Sequence, residues 1–137
     1  MESSDQPASE RSSVDERFSA RIDELAESAA RTAEEATPPE SPPEPDRAMA
    51  YLREGAGPAI SLYVEARTGG TMVHFPPSEY RALEGAMNEW LELYAECYGY
   101  DITASFTVRE AAELLVDTHN VKDVAQLLTG VPERPSQ

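Results

Sequence analysis

The segment TPPESPPEP, Thr37 to Pro45, divides the chain before anything else can be read from it. Its five prolines in nine residues remove backbone donors and fix φ, so no helix runs through it. An extended polyproline II spacer is the favoured conformation. Any helix before the segment must end by Ala36, and the chain beyond Pro45 must fold on its own. The chain is therefore read as a polar, disordered tail over 1–12, an amphipathic helix over 13–36, a Pro-rich linker over 37–46, a folded body over 47–131 and a short tail over 132–137.

The first helix has a clear start signal. Ser13 and Glu16 form S-x-x-E, the sequence of a capping box. Val14, Phe18, Ile22, Leu25, Ala29, Ala33 and Ala36 then recur at helical spacing and make one narrow apolar stripe. Isolated helices gain little without packing, so this stripe needs a partner. Either the helix docks elsewhere, on another protein or a second copy, through Phe18, Ile22 and Leu25, or it packs on its own body.

Within the body, DRAMAYLREG reads as a short helix capped by Asp46 and stopped by Gly55. AISLYVEARTGGTMVHF has two readings. As a hairpin, Ile60, Leu62, Val64 and Ala66 alternate on one face, Gly69-Gly70 turns the chain, and Val73 and Phe75 return. As a helix, Pro58 takes the first position and Gly69 stops it. The β-branched and aromatic content favours the hairpin. The main helix comes next, in PPSEYRALEGAMNEWLELYAECYG, with Ser78 near its N-cap. Tyr80, Leu83, Met87, Trp90, Leu91, Tyr94 and Cys97 form its apolar face, and Glu79, Glu84, Glu89, Glu92 and Glu96 form a solvated one. Ile102, Ala104 and Phe106 alternate and suggest a third short strand. The expected fold is α+β, mostly helical, with a β-hairpin; the alternative is all-α.

The last motif is FTVREAAELLVDTHNVKDVAQLL, Phe106 to Leu128. Thr107 and Glu110 form another capping box, and Asn120 caps a second helix that Gly130 and Pro132 end. The TVREAAELL run resembles the first helix of MerR- and excisionase-type helix-turn-helix domains. That resemblance implies a DNA-associated regulator using residues 107–129, with Asn120, Lys122 and Gln126 toward nucleic acid. The second helix, however, carries one cation, Lys122, and one anion, Asp123, where a recognition helix needs basic groups for phosphates. A structural helical hairpin is the better reading.

Charge points the same way. The net charge is −15, with 26 acidic residues against 11 basic, and both the part before residue 47 and the body are acidic. Such a surface repels phosphate backbones and anionic membranes. All but one of the basic residues are Arg, the exception being Lys122. Arg-rich coding together with dense carboxylate suggests a salt-loving organism, since at roughly 1 M salt the Debye length falls to about 3 Å and acidic self-repulsion is screened. An ordinary acidic protein of a GC-rich bacterium is the alternative. From AISLYVEARTGG through MNEWLELYAECYG to the C-terminal hairpin, residues 47–132 also resemble a family of small acidic proteins from halophilic archaea, which carries no assigned activity.

No catalytic constellation is legible. Cys97 is the single cysteine, and with His74 and His119 it forms no metal-ligand spacing. Neither a secretory leader nor a long apolar run is present, and a reducing cytoplasm is expected. Taken together, these readings predict a cytoplasmic, non-enzymatic interaction or adaptor protein adapted to high salt, without cofactor or metal. A protein partner or self-association is expected, and nucleic acid and membrane are not.

Overall fold

The computed structural model describes residues 2–37, 39–68 and 75–132, with side chains from residue 16 onward. Six α-helices are α1 (Glu2–Glu35), α2 (Pro45–Tyr51), α3 (Gly57–Thr68), α4 (Pro77–Glu96), α5 (Val108–Thr118) and α6 (Val121–Thr129). A π-helical turn, Leu52–Ala56, joins α2 to α3 without a break, so the described chain is built of five helical rods. The fold is all-α; no strand occurs among the described residues. α4 is the central rod and touches every other helix.

The expected hairpin is therefore corrected. Residues 57–68 form α3, and Ala59, Ile60, Leu62, Tyr63 and Ala66 are buried there at helical spacing. β-Propensity measures fit to a half-buried pleated surface, and burial against several neighbouring helices overrides it. The Gly69-Gly70 turn and Val73 of that hairpin lie outside the described residues. Gly55 does not stop the preceding helix either. The π turn contains Gly55 and is closed by Gly57, the first residue of α3, whose N–H bonds Leu52 O, five residues back. Proline in a regular helix lacks its donor and crowds the preceding turn, and a wider turn just ahead of Pro58 relieves both.

Gly55 has a packing reason as well. A Cβ at this position would overlap Cγ, Cδ2 and Cε2 of Trp90, so the helix backbone lies directly against the buried indole. Tyr51 packs beside the same ring, with centroids 5.8 Å apart.

α1 packs lengthwise on α4 and also meets α3. Ile22 and Ala29 are fully buried, while Phe18, Leu25, Ala33 and Ala36 are partly buried against the core. Phe18 meets Phe75 edge-on at 6.0 Å. Arg21 forms a two-pronged ion pair with Glu65 of α3 at 3.0–3.1 Å, and Ser19 Oγ donates to Glu79 of α4. The Pro-rich segment is also tied down. Glu44 N–H donates to Cys97 O at 2.7 Å, and Arg47 donates to Thr37 O, Glu44 and Tyr51. Caps at two helix starts differ from expectation. Glu44 precedes α2 and Pro76 precedes α4, each with proline at the first helical position, so Asp46 and Ser78 sit inside the first turns.

Residues 101–107 are extended, as their alternation predicts, but they pair with a helix and not with a strand. Glu92 accepts from Ala104 N–H at 2.9 Å, Asn88 accepts from Phe106 N–H and donates to Phe106 O at 2.9 and 3.0 Å, and Glu84 accepts from Val108 N–H at 3.0 Å. The match is geometric. Four residues of helix rise about 6 Å, and two residues of extended chain rise about 6.6 Å. Side chains at i, i+4 and i+8 of α4 thus meet alternate amides of an antiparallel strap. The expectation of a purely solvated carboxylate face on α4 is corrected here, because Glu79, Glu84 and Glu92 all hold partners. Asn88→Ala removes two hydrogen bonds of about 1 kcal/mol each and is expected to cost about 2 kcal/mol in chemical denaturation at molar KCl. A loss within the error of the measurement would show that the strap is held by its apolar residues alone.

The C-terminal hairpin obeys its sequence signals. Thr107 Oγ1 accepts from Glu110 N–H at 3.1 Å while Glu110 accepts from Thr107 N–H at 2.8 Å, completing the capping box. His119 ends α5 in the left-handed region, φ 54°, and Gly130 ends α6 at φ 73°. Val131 is then buried, with its carbonyl accepting from Tyr94 Oη at 2.8 Å.

Candidate interaction cleft

The residues singled out in the sequence are largely consumed by the fold. Phe18, Ile22 and Leu25 face the body, and Ile22 is fully enclosed. Asn120 Oδ1 accepts from Lys122 and Asp123 N–H at 2.9 and 3.2 Å, so its amide serves as a cap. Gln126 Nε2 donates to Pro132 O at 2.7 Å. Of the three side chains considered for nucleic acid, Lys122 is the one not spent on the backbone in these ways. Cys97 is buried at the end of α4, and burial pushes its thiol up to about 11, which disfavours the nucleophilic thiolate. Trp90 and Tyr94 belong to the core, while Tyr100 of the same aromatic cluster is exposed. His119 is a helix-terminating residue at the surface, and His74 lies outside the described residues.

What the sequence reading missed is a cleft between α3 and α5. Tyr63, Val64 and Arg67 of α3 face Arg109, Ala112 and Val116 of α5 across about 470 Å³, with Glu113 and Asp117 at the α5 wall. The capping box fixes where α5 begins and so which of its residues face α3. Val108, Ala111 and Ala112 are buried, with Ala112 at the floor of the cleft, leaving Arg109 and Val116 toward the opening. Val116 is 57% exposed, one of three large hydrophobic side chains, with Tyr100 and Leu127, that the described residues leave open to solvent. The Arg67 guanidinium lies over the Tyr63 ring, 5.8 Å from its centroid. Tyr63 in turn meets Tyr80 edge-on at 5.9 Å. Burial, then the Tyr63 hydroxyl, then nearby Glu84 push the Tyr80 phenol up to about 12, against an opposing pull from Arg109. Arg109 pairs with Glu113 at 3.6 Å. The sequence carries no signal for the cleft: Val116 continues the i, i+4, i+8 row of Val108 and Ala112, and its exposure shows only once α3 and α5 are placed together.

A larger cleft, about 650 Å³, runs between α1, α4 and the strap. Its walls include Glu84 and Glu92, already bonded to the strap, and Glu89, whose carboxyl is raised by partial burial and then by Glu92. No helix among the described residues is long and apolar enough to cross a membrane.

The architecture defines a small all-helical bundle with an integral N-terminal helix and an apolar-floored cleft flanked by arginines. The chain belongs to the family described as a domain of unknown function, DUF8055, whose pattern matches residues 16–133. The family unit therefore begins inside α1 and includes the stretch that packs on α4. No curated protein and no solved structure matches the chain.

Proposed function

We propose that this protein is a non-enzymatic interaction module that works at high salt and engages a protein partner through the α3–α5 cleft. The observation that carries this reading is the exposure of Val116 at a cleft whose floor is apolar. Val116 stands beside Val64 and Tyr63 at the mouth of a groove bordered by charged groups, and apolar surface rimmed by polar groups is one feature of binding grooves. The salt setting rests on the charge of −15 and on ten Arg against one Lys, together with the resemblance of residues 47–132 to small acidic proteins of halophilic archaea. Docking is assigned to the cleft and not to Phe18, Ile22 and Leu25, because those side chains are engaged on the body.

A photo-crosslinking residue placed at position 116, and separately at exposed Ser61 on α3, tests this in cells grown at high salt. A discrete protein adduct from position 116 that survives nuclease and is absent from position 61 is expected. Adducts equal from both positions, or none from 116, would remove the cleft. An adduct lost on nuclease treatment would instead favour a nucleic-acid-associated role for the C-terminal hairpin.

A further inference from the structure

We infer that the outer edge of the 101–107 strap is a second docking surface, which takes an extended peptide segment with basic residues at its ends. The segment adds to the strap as a strand, through main-chain bonds at Asp101, Thr103 and Ser105. This goes beyond the α3–α5 cleft and does not depend on it.

The main chain carries the argument. Asn88 holds both the N–H and the C=O of Phe106, as a neighbouring strand would, and Glu92 holds Ala104 N–H. In extended chain, successive residues turn these groups to opposite edges. Asp101, Thr103 and Ser105 therefore aim theirs away from α4, and none of those N–H or C=O groups has a partner among the described residues. All three residues are exposed. The edge closes at Thr107, whose N–H is taken by Glu110 and whose C=O is taken by Ala111 N–H. Exposed edges are normally blunted by lysine, proline or a bulge. Ile102 to Val108, ITASFTV, contains no charged residue and no proline, in a chain with 26 acidic, 11 basic and 11 proline residues. An unblunted edge with free donors and acceptors is what strand addition uses. Charge selects the ends of the segment. Asp101 lies at one end of the edge and Glu110 closes the other, and neither pairs with a cation among the described residues. The nearest cation in sequence, Arg109, is held by Glu113 and lines the α3–α5 cleft. A basic residue at each end of the segment thus meets a carboxylate, and a second copy of this chain would bring like charges together. At about 1 M salt the Debye length is about 3 Å, so long-range steering fades while the main-chain bonds and contact ion pairs persist.

The test uses the full chain, isotope-labelled, in molar KCl. Two acetylated, amidated heptapeptides of alternating threonine and valine serve as probes, one with lysine at both ends and the other with aspartate. The lysine peptide is expected to shift the amides of Asp101, Thr103 and Ser105. Ser105→Pro removes a donor that the fold does not use, in backbone that is already extended. It should weaken binding roughly tenfold, while Ser105→Ala binds as wild type does. Thr103→Pro repeats the test at the next donor, and circular dichroism confirms that each variant keeps its helices. The wild-type shifts test the same edge without any substitution. The inference is overturned if the lysine peptide moves none of these amides, if the aspartate peptide moves them equally well, or if both proline variants bind like wild type. Shifts of the same amides when the chain alone is concentrated, with none from the peptide, would assign the edge to a second copy and also overturn it.

Discussion

Gly55→Ala is expected to lower the melting temperature of the bundle by roughly 10–15 °C, the shift that about 3 kcal/mol produces in a domain of this size. Two effects compete. Replacing glycine by alanine inside a helix ordinarily gains about 1 kcal/mol. Here the new methyl would overlap three ring atoms of Trp90, which is 2% exposed and has nowhere to go. Overpacking a filled core costs about 1–3 kcal/mol and occasionally more, and overlap with a rigid fused ring belongs at the top of that range. Gly85→Ala gives the contrast, since a Cβ there meets nothing within 4 Å. It should leave the protein unchanged or stabilise it by about 0.5–1 kcal/mol. Thermal unfolding of both variants at molar KCl decides the matter. The same melting point for Gly55→Ala and wild type would mean that the π turn does not press against the indole. A double variant with Trp90→Leu sharpens the test: Gly55→Ala should cost less once the ring is gone, because the two residues are in contact.

Ile22→Asp is expected to cost about 4 kcal/mol or more, because it places an unpaired carboxylate in an apolar interface. Ile22 is fully buried between α1 and the body, whereas Ala20, two residues earlier, is exposed. Ala20→Asp should stay within about 0.5 kcal/mol of wild type. Trypsin cleavage at Arg21 and Arg31, together with circular dichroism, separates two ways of losing the interface. Rapid cleavage with most helicity retained means α1 alone has detached, and loss of both means global unfolding. Equal behaviour of the Asp variants at 22 and 20 would return the stripe to solvent and restore the docking-arm reading.

Local signals in the sequence held at some helix ends and failed at others: the Ser13–Glu16 box lies inside α1, and Asp46 and Ser78 lie inside first turns. The Thr107–Glu110 box, the Asn120 cap, the Gly130 stop and the apolar face of α4 all depend on side chains within a turn or two of each other. The larger failures involve distant partners. Val64 and Ile60 look like strand residues until α4, α5 and the π turn are placed around them. Gly55 looks like a terminator because the ring that requires it lies on another helix. Glu84 and Glu92 look like solvent-facing charges because the amides they bind belong to a segment that the chain reaches only after α4 has ended. The cleft was hidden for the same reason, since it forms only when α3 and α5 come together.

The strap has a consequence for tolerance to change. Its hold on α4 is made through main-chain groups at Ala104, Phe106 and Val108, with the intervening Thr103, Ser105 and Thr107 exposed. The side chains at 103 and 105 are therefore free to be almost anything that an extended backbone accepts. Length is not free. Adding or removing one residue between Gly99 and Ala104 turns every second amide away from α4 and exchanges the inward Ile102, Ala104 and Phe106 for their polar neighbours, as a one-residue slip does in a sheet. This connector is thus permissive in composition and strict in residue count, the reverse of what is expected of an ordinary loop.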